Sequence, residues 1–151
     1  MLDLTAEFEA VISALTQCGI EYAVCGGLAM AIHGYPRATV DIDLLIRPED
    51  EARTYEAVEP LDYTFHAKPM HFDKGAMEIR RVSKIDPAGD TLMLDLLLVT
   101  AAFEDVWRDR EVIEWDFGTI HVVSREGLIK LKSGRMSGTD QDDIRKLRDE
   151  A

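Results

Sequence analysis

Apolar residues fall at helical spacing in "TAEFEAVISALTQCG", where Phe8, Val11, Ile12 and Leu15 form one stripe. That stripe predicts an amphipathic helix with Thr5 capping its start and Gly19 its end. "EYAVC" reads as a short strand running into Gly26-Gly27, and "LAMAIHG" as a helix ending near Gly34. "DIDLLIR" predicts a second strand, stopped by Pro48, and "EDEARTYEAVE" a surface helix. "MHFD" and "MEIRRVSKI" predict a hairpin around Lys74-Gly75. The turn signal Pro87-Ala88-Gly89-Asp90 leads into "TLMLDLLLV", the most apolar strand of the chain, followed by a short helix at 101–108. "EVIEW" and "TIHVV" form another hairpin about Asp116-Phe117-Gly118. Two short helices close the chain, from Ser124 to about Arg135 and from about Thr139 onward. Strands and helices mixed in this way predict an α+β domain, a mixed sheet flanked by helices.

Length bounds the organisation. With 151 residues, 46% of them hydrophobic, the chain suffices for one domain (1–151), its core in 5–123 and a helical pair in 124–151. No apolar run approaches a membrane span and the acidic start "MLDLTAEFEA" is unlike a signal peptide, so the expected location is the cytoplasm. Cys18 and Cys25 sit among apolar neighbours without metal-ligand spacing and are expected to be buried free thiols.

Charge narrows the partners. A net charge of -12 is at odds with sequence-independent nucleic-acid binding, which needs a basic face. It also means that any polyphosphate ligand requires a local basic pocket or bridging divalent cations.

The candidate chemistry begins with three carboxylates. In a strand, residues two apart share a face, so Asp41 and Asp43 project together while Ile42, Leu44 and Ile46 face the other way. A lone pair of this kind is commonly a strand end meeting water. Asp95 adds a single charge to the apolar run "LMLDLLLV", which marks a strand covered on both faces. An isolated charge there costs several kcal/mol. Pairing with a buried arginine, a position at the mouth of the sheet, or a divalent cation shared by all three aspartates would each relieve it. Gly26-Gly27 adds a strand–glycine–helix turn at which backbone can approach a ligand closely and offer N–H groups to a phosphate.

Cys25-Gly26-Gly27, thirteen intervening residues, Asp41-Ile42-Asp43 and a later strand carrying Asp95 together resemble the signature of the DNA polymerase beta-like nucleotidyltransferase superfamily. "GGLAMAIHGYPRATVDIDLLI" is similar to the core of small bacterial nucleotidyltransferase-like proteins, including those of toxin–antitoxin and abortive-infection systems. Their tail is similar to Lys132, Arg135, Asp140 and Asp143 in "LIKLKSGRMSGTDQDDIRKL".

The resemblance implies a polymerase beta-like fold and transfer of an NMP, AMP above all, from an NTP to a hydroxyl on a protein, a tRNA or a small molecule. It implies that Asp41, Asp43 and Asp95 are catalytic and hold two Mg²⁺ ions, with Mn²⁺ as a substitute. Metals about 3.5–4 Å apart stabilise both oxygens of an in-line displacement. Gly26 and Gly27 would meet the triphosphate.

Arg37 reads as a phosphate clamp or a partner of the aspartates. Thr39 is grouped with the nucleotide-binding residues as the side chain that orients the loop. Lys132 and Arg135 lie one helical turn apart, either toward the triphosphate or as partners of Asp140 and Asp143. His33 reads as a capping or packing residue, and His66, His71 and His121 carry no usable spacing. Only about 28 residues follow Val123, so the acceptor is small, or is held by a partner protein or a second copy of the chain. The alternative is a non-catalytic nucleotide- or partner-binding member of a two-gene module. A plain structural α+β domain ranks last.

Overall fold

The computed structural model describes residues 2–35, 39–135 and 138–149. Six α-helices, numbered in chain order, are α1 (Leu4–Gln17), α2 (Gly26–Ile32), α3 (Glu51–Val58), α4 (Glu104–Arg108), α5 (Arg125–Arg135) and α6 (Gly138–Asp149). Eight strands are β1 (Ala23–Cys25), β2 (Asp41–Ile46), β3 (Phe65–His66), β4 (Met70–Phe72), β5 (Met77–Ile85), β6 (Thr91–Leu98), β7 (Glu111–Trp115) and β8 (Gly118–Val122). They form one mixed sheet in the order β3-β5-β6-β2-β1-β8-β7, with β4 also paired to β5. Strand β2 runs parallel to β6 and antiparallel to β1, while β5 and β6 form an antiparallel hairpin. This is the α+β architecture that the alternating pattern predicts.

Local chemistry explains most boundaries. Phe8, Val11, Ile12 and Leu15 are buried, as their spacing requires. The cap of α1 is Asp3, not the expected Thr5: Asp3 Oδ1 accepts from the amides of Thr5 (3.0 Å) and Ala6 (3.4 Å). An aspartate one residue ahead of the helix satisfies free amides and complements the helix dipole. Helix α2 starts earlier than its apolar residues indicate, at Gly26, so both glycines belong to its first turn. The two-residue strand β3 carries no periodic signal and is formed only by pairing of Phe65 with Ser83 and His66 with Val82.

Cys18 corrects the expectation of two buried thiols. Cys25 is buried, but Cys18 is exposed at the C-terminal cap of α1, where the helix has already left the core.

One face of the sheet carries Ile42, Leu44, Ile46, Leu94 and Leu96, all fully buried. Helices α1 and α3 are tied to that side. Lys84 of β5 donates to both oxygens of Glu7 (3.0 and 3.1 Å), and the buried Tyr63 hydroxyl donates to Glu7 at 2.9 Å. Arg80 of β5 pairs with Glu51 of α3. The opposite face is covered over its lower half by α2 and α5, where Leu45 and Leu97 are buried with Leu128 and Leu131. Its upper half carries the aspartates. Each fully buried leucine contributes about 1.5–3 kcal/mol, so this central β2–β6 pair is where the fold is anchored. No described helix is long and apolar enough to cross a membrane.

Candidate active site

The sheet register assembles the site. Asp43 lies opposite Asp95, Asp95 opposite Arg81, and Cys25 opposite Asp43, so one row crosses β1, β2, β6 and β5. Directly paired residues in a sheet point to the same face. Asp41 stands two residues before Asp43 on that face and is half-buried; Asp43 is 7% exposed and Asp95 3%.

Asp95 is held by an arginine. Arg81 Nε donates to Oδ1 at 2.7 Å and Nη2 to Oδ2 at 2.9 Å, a fork-on-fork pair of the strong, charge-assisted kind. The Arg81 guanidinium holds its proton even more tightly than usual. The hydrogen bond it donates to Asp95 is the main cause, opposed by burial, and the charges of Asp95, Asp41 and Asp43 add to it. Arg81 therefore answers all three carboxylates electrostatically while touching one.

Gly26 brings backbone against Asp43. Its φ of +65° is left-handed, and a methyl group there would run into the Asp43 carboxylate. A Cβ on Gly27 would meet Thr39 Oγ1 at 2.8 Å. Thr39 Oγ1 is also 3.4 Å from the carbonyl oxygen and 3.5 Å from the amide of Asp41, which places it under the loop that enters β2. Lys132 is 4% exposed, lines a small cleft with Cys25, Gly26, Asp43 and Leu97, and pairs with buried Asp143 of α6 at 2.8 Å. It thus sits beside the site and also ties the two last helices together.

Arg37 lies outside the described residues, as do the side chains of Arg135 and Asp140. His33 Nε2 donates to the Val123 carbonyl at 2.8 Å and closes α2 onto the end of β8.

The donors are all carboxylate oxygens, the set a hard divalent cation takes. Asp41 and Asp43, two apart on one strand face, fit such an ion. Among the described residues, however, no three of His, Cys, Asp and Glu gather around one point, and both oxygens of Asp95 are on Arg81. Arg81 is the residue that sequence reasoning did not number. The signal was present: the β5–β6 hairpin closes at Ile85 and Thr91, and four residues back along each strand are Arg81 and Asp95.

Neither a family model nor a curated protein matches the sequence. Solved structures do. The lincosamide antibiotic adenylyltransferase LnuA, bound to lincomycin, superposes with a TM-score of 0.63 at 15% identity over 95% of both chains. The chain has the nucleotidyltransferase fold. TM1012 of Thermotoga maritima, named as a candidate nucleotidyltransferase, is similar with a TM-score of 0.62 at 18% identity over 98% of this chain and 94% of its own. ANT(2")-Ia, in complex with adenylyl-2"-tobramycin, gives 0.63 at 13% identity over 94% and 86%. In this nucleotidyltransferase fold Asp41, Asp43 and Asp95 stand on two parallel central strands, with Gly26 packed against the middle carboxylate.

Proposed function

We propose that the protein is a metal-dependent nucleotidyltransferase that moves AMP from ATP onto a hydroxyl. The observation that carries this reading is the register of Asp43 with Asp95 beside a glycine whose backbone closes on Asp43, on a nucleotidyltransferase fold. Asp41 and Asp43 would hold the divalent cation, which neutralises charge on the triphosphate and on the leaving pyrophosphate when bound. Gly26 and Gly27 keep the backbone bare of side chains where the phosphates lie. Asp95 takes the proton of the attacking hydroxyl. The acceptor oxygen bonds to the α-phosphorus as the bond to the bridging oxygen breaks, and pyrophosphate leaves with that electron pair.

The acceptor is best read as a small hydroxylated molecule without a polyanionic backbone. A chain of charge -12 repels nucleic acid, and two of the similar structures carry an antibiotic or its adenylyl product. The sheet face beyond the aspartates is uncharged and partly apolar: Met93 lies opposite Asp41, Ser83 opposite Met93, and exposed Phe65 opposite Ser83.

The test is calorimetric titration of each NTP with and without Mg²⁺, followed by label transfer from ATP to lincomycin and tobramycin as first acceptors. Asp41→Asn and Asp43→Asn should abolish transfer and Mg²⁺-dependent ATP binding while changing folding stability by less than about 1 kcal/mol. Full activity in both variants would remove the metal role.

The forked Arg81–Asp95 pair favours a second reading, a non-catalytic nucleotide or partner binder, one half of a two-gene module. Mg²⁺-dependent ATP binding without transfer to any acceptor, a purified partner protein included, would select it.

A further inference from the structure

Asp95 raises a conflict within the site. To serve as metal ligand or proton acceptor it must turn its negative charge to the site, yet each of its oxygens accepts a short hydrogen bond from Arg81, which fixes the carboxylate's orientation and stabilises that charge. A divalent cation on the same carboxylate would lie within a few Å of the guanidinium and repel it. The two cations therefore disfavour each other. Without a metal, the Arg81 guanidinium is the charge that makes burial of Asp95 tolerable. Its side chain is 30% exposed, against 4% for that of Asp95, so the arginine has a route toward solvent when displaced.

We infer that Arg81 and the divalent cation compete for Asp95, so that Arg81 is a positioning residue holding the third carboxylate in place until the metal site fills. This rests on the reading of Asp41 and Asp43 as metal carriers. By reciprocity, whatever loosens the Arg81 grip tightens metal binding, and metal binding loosens the grip.

The experiment uses Mn²⁺ alone as the probe, titrated into the full chain and followed by the paramagnetic resonance of the free ion. Wild type, Arg81→Gln, Asp95→Asn and the double variant form a cycle, and unfolding midpoints are recorded in EDTA and in Mn²⁺. Arg81→Gln should bind Mn²⁺ more tightly than wild type by a factor between about 5 and 150, the usual range of coupling between linked sites. It should also unfold more easily in EDTA and recover in Mn²⁺. In the Asp95→Asn background the same substitution should change Mn²⁺ affinity little, because the shared carboxylate is gone.

Tightening that persists at full size in the Asp95→Asn background would show a general charge effect and overturn the inference. Affinity unchanged or weakened in Arg81→Gln would overturn it too. Should Arg81→Gln fail to fold, Arg81→Lys reads the same competition, since it keeps the charge and loses the fork. Wild-type binding of Mg²⁺–ATP, measured in parallel, separates the two claims. If it occurs and the cycle shows no coupling, the inference falls and the nucleotidyltransferase reading stands. If neither Mn²⁺ nor Mg²⁺–ATP binds any variant, both fall.

Discussion

At the scale of single residues, the site depends on what is missing from Gly26. Its left-handed φ and the nearness of the Asp43 carboxylate leave no room for a side chain. Gly26→Ala should cost at least about 1–2 kcal/mol from the backbone alone, and the methyl group must push Asp43 aside. Urea unfolding should show the loss, and Mg²⁺-dependent ATP binding should fall below detection. Gly27 has no left-handed φ, and its methyl would meet Thr39 Oγ1 and Cβ at 2.8 and 2.9 Å rather than Asp43, so Gly27→Ala must shift the loop into β2 but should lower ATP affinity less than Gly26→Ala. Equal ATP affinity in Gly26→Ala and wild type would mean that the approach to Asp43 is a packing detail. That Gly26, Asp41, Asp43 and Asp95 are unusual positions was legible in the sequence, because each breaks the apolar pattern around it, and the structure places them together. Arg81 was legible only by counting back from the β5–β6 turn, since an arginine in a hairpin strand looks solvent-facing until the neighbouring strand is set against it.

At the scale of elements, what the sequence showed was periodicity, and what it hid was pairing. Helix α1, the β7–β8 hairpin and the β4–β5 hairpin lie where their patterns put them. The parallel alignment of β2 with β6 joins residues 52 positions apart, so no local pattern could set it. Lys132 shows the same limit. Its helical position was plain, but only the packing of α5 on α6 shows it buried, beside the Asp43 cleft and bonded to Asp143. Removing one partner of such a buried, closely spaced pair is strongly destabilising. Lys132→Met should therefore destabilise the protein by about 3–5 kcal/mol, and Lys132→Met with Asp143→Leu should recover most of that loss. The urea midpoints of the two single variants and the double variant decide it. A double variant no better than the worse single would mean that the pair is not the main partner of either residue.

At the scale of the whole molecule, acidity and the tyrosines set the range of pH over which the fold holds. Tyr63 and Tyr55 keep their protons well above the ordinary tyrosine range, burial being the first cause and hydrogen bonds to Glu7 and Glu51 the next. Burial also raises Tyr22, against a smaller opposing bond from the amide of His121. A group whose pKa is higher folded than unfolded contributes stability that is complete below the unfolded value, about 10 for tyrosine. That contribution is lost as pH climbs from there toward the folded value. These residues should leave stability flat between about pH 7 and 9 and make it fall above about 10, where each ionisation also adds charge to a chain already at -12. Tyr63→Phe has no proton to lose at that position. It should cost about 1 kcal/mol at neutral pH, because Glu7 gives up one hydrogen bond and keeps Lys84. Its stability should then decline less steeply between pH 10 and 11 than that of wild type, so the two curves converge. Urea midpoints at pH 8, 10 and 11 measure this directly. Parallel curves would mean that Tyr63 ionises over the same pH range folded and unfolded, and that the alkaline loss comes from the other tyrosines and from lysines losing their charge.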